Sequence, residues 1–224
     1  AITRSVNIAA VRCVTAITPA LGFQYAQDLG ITTLRPATDC IQPLALGGIT
    51  DGVSNLELTG AFAAIADDGI YRTPKFFTKI LNRNGEVLYA FSDLEADAVS
   101  ANELPDDFHT RTLAERDNTR VLKDSTAFLL TSAMQGVVTD PSGTAYQTVS
   151  ASGQPVAGKT GTTSDYKDIW FVGFTPYYTC GVWGGYDSNK ELPDGCHSYQ
   201  KTLFSAVMNR IHSTLPASEF TPPS

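Results

Sequence analysis

The chain has 224 residues, 42% of them hydrophobic and 10% aromatic, and a formal net charge of -7. That is the size and composition of one sizeable globular domain, and its apolar runs stop short of the ~18 residues a membrane-spanning helix requires. The acidic balance argues against nucleic acid as a partner, since phosphate binding relies on clustered Lys and Arg.

Taken in chain order, helical apolar spacing begins at Ile8, with Ser5 or Asn7 placed as the expected N-cap. Thr18 before Pro19 opens a second helix, which Gly30 closes. A Gly-rich connection over 44–52 leads to Ser54-Asn55-Leu56-Glu57, a capping box, and Leu58, Phe62 and Ile65 then share one helical face up to Gly69. Residues 76–81 and 86–91 read as two strands around an Asn84-Gly85 turn. Residues 92–121 read as an acidic surface excursion, and within 92–118 eight acidic side chains face only Arg111 and Arg116. A long helix from Asp124 carries Leu129, Leu130, Ala133, Met134 and Val137, and ends before Pro141. Residues 145–155 read as a loop. Three strands follow, one through Lys159, one over 168–174 and one over 178–186, and then a helix over 199–212 and a frayed tail at 221–224. The fold class expected is α+β, an antiparallel sheet flanked by helices over 1–220, with fewer strands than so many helices call for.

Among the strands, Gly158-Lys159-Thr160-Gly161-Thr162-Thr163 carries the most chemistry. Strand alternation points Lys159 and Gly161 one way and Thr160 and Thr162 the other. The bare backbone at Gly161 suits an extended peptide pairing along the strand, and the amides near it could face an oxyanion. Lys159 supplies positive charge, and the threonine hydroxyls supply donors for a carboxylate. On its own, a Lys-Thr-Gly tripeptide reads as a strand end with a solvated lysine, since short motifs recur by chance.

The four cysteines, Cys13, Cys40, Cys180 and Cys196, form no CxxC pair, and the three histidines have no metal-ligand spacing with them, so no metal and no cofactor is expected. A Cys180–Cys196 disulfide would close a short loop, but buried free thiols are the preferred reading.

Ser5-Val6-Asn7, followed over 150 residues later by Lys159-Thr160-Gly161-Thr162, resembles two of the three motifs of the penicillin-binding proteins and serine β-lactamases. The stretches Leu46-Gly47, 56–74, Gly143-Thr144-Ala145, 168–176 and Trp183-Gly184-Gly185-Tyr186-Asp187 resemble the transpeptidase domain of class A, bifunctional penicillin-binding proteins, over nearly the whole chain. The resemblance implies a β-lactamase/transpeptidase-like fold, incomplete without an upstream segment of the same protein. It also implies a serine acyl-enzyme that cross-links the D-Ala-D-Ala stem peptides of peptidoglycan and is acylated by β-lactam antibiotics. Ser5, Asn7, Lys159 and Thr162 would be catalytic, and Thr160, Gly161, Thr162 and Thr163 would bind substrate. The expected location is the extracytoplasmic face of the bacterial membrane, anchored outside this sequence.

The family's S-x-x-K element, with the nucleophile, should precede Ser5 and is absent here. Ser164-Asp165-Tyr166-Lys167 and Ser198-Tyr199-Gln200-Lys201 match it locally, about as often as chance allows, and neither fits the family position. The sequence is therefore expected to be the C-terminal portion of a transpeptidase domain. A β-lactam sensor and a non-catalytic peptide-binding module are the alternatives, separable by amine turnover and by the sequence before Ala1.

Overall fold

The computed structural model describes residues 1–77, 79–90 and 118–223. Two helices open it, α1 (Asn7–Ile17) and α2 (Pro19–Asp28), the second capped by the Thr18 hydroxyl with Pro19 in its first turn. After the short α3 (Pro36–Asp39), a 3-10 segment at Gln42–Leu46 packs on both α1 and α2. The Thr50 hydroxyl, the Arg35 and Thr50 amides and the Thr38 hydroxyl all donate to the Asp39 carboxylate, holding its pKa down at about 2 and closing the 35–50 loop. Helix α4 (Asn55–Ala66) starts at the capping box that its sequence announces, with Glu57 N donating to Ser54 Oγ at 3.2 Å.

A two-residue strand, β1 (Ile70–Tyr71), pairs antiparallel with β4 (Thr119–Arg120), and the hairpin β2 (Lys79–Leu81) with β3 (Val87–Ala90) closes around Asn84-Gly85. Both hairpin strands are shorter than read from sequence, and the expected last strand residue, Phe91, lies outside the described residues. Most of the acidic excursion, 92–117, does too. Its expected end at 121 does not match the fold: Thr119 and Arg120 are paired and buried, and Val121 is fully buried with Ala64 and Tyr71. Helix α5 (Asp124–Thr139) then leads to a sheet of β5 (Ala157–Thr162), β6 (Asp168–Phe174) and β7 (Thr179–Gly185), and α6 (Tyr199–His212) ends the regular structure. The β5-β6-β7 order is antiparallel throughout, and among the described residues neither outer edge of this sheet is paired to a further strand.

Period-2 alternation sorts the sheet into two faces. Ala157 and Phe174 pack with Ile65 of α4 and Met134 of α5 on one face. Phe171 and Val182 pack with Phe204 and Met208 of α6 on the other. Close approach requires glycine on both sides: a Cβ at Gly181 would strike Thr59 and Asn55 of α4, and one at Gly184 would strike the Tyr199 ring of α6. On α6, Phe204, Met208 and His212 recur every four residues and are buried. His212 is satisfied where it lies, Nδ1 donating to Met208 O at 2.7 Å and Nε2 paired with the Thr175 hydroxyl at 2.8 Å.

The cysteines correct one expectation. All four are free, but none is buried: Cys13 is exposed and the others are partly exposed. Cys180 sits near the start of β7 while Cys196 precedes α6 beside the far end of that strand, with Tyr199 N donating to Cys196 O and the Tyr199 hydroxyl to Trp183 O.

Candidate active site

The site is assembled at the edge of β5 that is unpaired among the described residues. Thr163 N donates to Asp168 O at 3.0 Å, which makes this an in-register, hydrogen-bonded pair just beyond the strand. In an antiparallel ladder such pairs alternate with pairs whose amides and carbonyls point away. Counting back, residues 161 and 159 direct their main chain at β6, while Thr162 and Thr160 direct theirs to the open edge. The Thr162 N–H and the Thr160 carbonyl thus project where an extended ligand would lie.

Lys159 occupies the α4/α5 face. Its Nζ donates to Ser5 Oγ at 2.7 Å and to Thr160 O at 2.8 Å, a contact that spans 154 residues of sequence on the serine side. Burial pushes its pKa below the ordinary 10.5, and among the described residues no carboxylate forms an ion pair with it. A desolvated ammonium held by two neutral oxygens keeps its field for whatever enters the site.

Ser5 reaches Lys159 because the segment ahead of α1 is pinned. Ile2 packs against the cores on both sides of the sheet, and a side chain at Gly136 of α5 would collide with Thr3 Oγ1. Thr144 N donates to Thr3 O at 3.2 Å, and Ser5 N to Ile2 O at 3.1 Å. Ser5 itself takes a left-handed conformation, φ 52°, which non-glycine residues adopt infrequently. That geometry removes it from the capping role expected for it: the N-cap of α1 is Val6, which has no side-chain cap bond, and Asn7 is the first helical residue. The Asn7 side chain is exposed two residues from Ser5, and no described residue takes up its amide.

Thr160 and Thr162 point opposite to Lys159, as alternation requires. The Thr160 hydroxyl meets that of Thr144 at 2.7 Å, while Thr162 is exposed and its hydroxyl is uncommitted among the described residues. Gly161 stands opposite Trp170, and a Cβ there would come within 3.2 Å of the Trp170 Cβ. Thr163 is differently placed: Asp168 N donates to its hydroxyl at 2.7 Å, so that group closes the β5–β6 turn. Of the two local S-x-x-K strings, Ser164 lies in a 3-10 turn after β5 and Ser198 just before α6, and neither hydroxyl bonds its lysine.

Two contributions escape a reading of motifs alone. Trp170 is half-buried, and it shares the Lys159 face with Trp183, their ring centroids 6.2 Å apart. Alternation along 168–174, registered against Gly161, would have located it. Thr144 bonds both Thr3 and Thr160 yet stands in a loop with no periodicity to mark it. Among the described residues, no group of three or more His, Cys, Asp or Glu is placed to hold a metal ion.

Residues 1–208 match the model of the penicillin-binding protein transpeptidase domain. The chain belongs to that family. Penicillin-binding protein 1A of Clostridium botulinum (strain Langeland) is 31% identical over 225 residues, covering 100% of this chain and 24% of the relative. The Rickettsia typhi protein of the same name is 33% identical over 224 residues, covering 98% and 27%. The chain therefore spans about a quarter of the length of these relatives. Among solved structures, penicillin-binding protein 1A from Haemophilus influenzae superposes with a TM-score of 0.75 at 23% identity, over 99% of this chain and 35% of that one. The fold is thus the α+β, β-lactamase/transpeptidase-like fold.

Proposed function

We propose that this chain is the motif-bearing C-terminal part of a peptidoglycan D,D-transpeptidase that works through a serine acyl-enzyme. The observation that carries the reading is the 2.7 Å bond from Lys159 Nζ to Ser5 Oγ, which joins the two motif fragments into one polar constellation at an open strand edge. In this reaction a serine hydroxyl attacks the carbonyl between the two D-alanines of a stem peptide. The C–N bond breaks, D-alanine leaves, and an amine of a neighbouring stem displaces the enzyme.

The residues here supply the surroundings of that chemistry. Ser5 passes a proton to the leaving nitrogen and takes one from the incoming amine, and the Lys159 charge lowers the cost of both transfers. The Thr162 N–H, aimed at the open edge, stabilises the oxyanion. Thr160 and Thr162 hydroxyls hold the terminal carboxylate of a stem peptide or of a β-lactam, Gly161 leaves the strand bare for pairing, and Asn7 donates to a substrate amide or to an upstream lysine. Thr163 we assign to the turn.

The nucleophile and its lysine belong to an upstream segment of the same protein. Helix α1 buries no residue, Ile8 is 69% exposed, and the outer edge of β7 is unpaired among the described residues, all of which suit cover by that segment. No helix among the described residues is long and apolar enough to cross a membrane, and the reading places any anchor outside the chain, with the domain on the extracytoplasmic side.

The test uses the full-length protein with a stem peptide ending in D-Ala-D-Ala and an amine acceptor. Ser5→Ala is expected to slow D-alanine release roughly 10²-fold, the low end of what a positioned acid–base group contributes. An unchanged rate would remove Ser5 from the mechanism. Acylation by a penicillin with no amine turnover at all would instead identify a β-lactam sensor.

A further inference from the structure

Thr144 is not part of either motif, yet among the described residues its side chain makes a single hydrogen bond, and that bond goes to Thr160. The two hydroxyl oxygens are 2.7 Å apart, so one of their two hydrogens lies between them. Each hydroxyl has one hydrogen to give and two lone pairs to accept with, so the pair has two states: Thr160 donates to Thr144, or Thr144 donates to Thr160. A carboxylate only accepts. For Thr160 to bind one, its hydrogen must turn to the ligand, and the Thr144 hydrogen must then fill the Thr160 lone pair.

The backbone holds Thr144 for this. Gly143 N donates to Asp140 O at 2.8 Å and Ala145 N to Val137 O at 3.0 Å, on either side of Thr144. Gly143 lies so close to the last carbonyls of α5 that a Cβ there would collide with Val137 O, and Ala145 is fully buried. Thr144 N donates to Thr3 O at 3.2 Å, two residues before Ser5. The same residue therefore fixes the segment carrying Ser5 through its amide and β5 through its hydroxyl.

We propose that Thr144 is a positioning residue that sets the direction of the Thr160 hydroxyl, making Thr160 a donor to the carboxylate of the substrate or β-lactam. The proposal rests on the transpeptidase reading above. A hydroxyl that accepts a hydrogen bond also donates a stronger one, so Thr144 raises the strength of the contact as well as its orientation.

The test compares acylation of the full-length protein by a labelled penicillin and by its methyl ester, which keeps the ring but lacks the anionic acceptor. Thr144→Val preserves the branched shape and the N–H to Thr3 while deleting the hydroxyl. It is expected to lower the acid-to-ester ratio of second-order acylation rates about tenfold, with the ester itself changing less than about twofold. Thr144→Ser is expected to restore the ratio, and the Thr144→Val, Thr160→Val double variant to be no worse than Thr160→Val alone. An equal fall for acid and ester would reduce Thr144 to packing and overturn the proposal. A ratio that collapses in Thr160→Val but holds in Thr144→Val would overturn it too, while leaving the transpeptidase reading intact. Acylation of the wild-type protein by neither compound would overturn that reading and the proposal with it.

Discussion

On the transpeptidase reading, replacing Lys159 by Met is expected to lower the second-order rate constant for acylation by a penicillin roughly 10³-fold, the combined scale of losing an acid–base partner and a partly buried charge at the reacting centre. Methionine keeps most of the aliphatic stem, so the packing on the α4/α5 face survives and the ammonium alone is lost. Ser5 then keeps its position, since Ile2 and Thr3 fix it from the other side, but loses the donor at 2.7 Å that polarises its hydroxyl. The pH profile gives a second readout. Burial depresses the Lys159 pKa, so the charged form titrates away below the ordinary 10.5, and acylation has an alkaline limb there that Lys159→Met lacks. The sign for stability is opposite. Between the depressed native pKa and 10.5 the unfolded chain binds more protons at this residue, so the Lys159 contribution to stability grows as pH rises through that window. A rate within about threefold of wild type for Lys159→Met would contradict the role given to the charge.

Phe171→Ala costs about 3–5 kcal/mol of folding stability, the usual range for truncating a buried phenylalanine. Phe171 is fully buried, meets Phe204 of α6 edge-to-face at 4.7 Å, and lies opposite Thr160 in the β5–β6 register. Collapse into the space left is restricted on the β5 side. Gly158 has no side chain to fill it, and a Cβ at 158 would stand 2.7 Å from the phenyl Cζ. Urea unfolding of the variant measures the loss, and a change under ~1 kcal/mol would show that the α6 face of the sheet is not the principal core.

The residues that were legible in the sequence are those whose structure is decided locally. Ser54 and Glu57 form their capping box, α6 runs over Tyr199–His212 as its periodicity states, and alternation through 157–162 puts Lys159 and Thr160 on opposite faces. What was illegible is set by contacts distant in sequence. Ser5 looks like an N-cap to any local rule, and only the anchoring of Ile2 and Thr3 on α5 and the 143–144 turn swings it to Lys159. Thr119 and Arg120 sit at the end of an acidic stretch, and their strand exists because β1 lies alongside. Thr163 is placed by its motif beside the ligand-binding residues, and no local rule shows that its hydroxyl accepts from the Asp168 amide across the β5–β6 turn. Cys13, expected to be buried, is exposed because α1 packs no face into the described core.

The most direct test of the account is to treat the full-length protein with a labelled penicillin and locate the adduct by mass spectrometry of its peptides. A single labelled serine lying upstream of Ala1 is expected, with Ser5, Ser164 and Ser198 unmodified. Label on any serine within residues 1–224 would contradict the proposed mechanism, because the nucleophile would then lie inside this chain and not in an upstream segment.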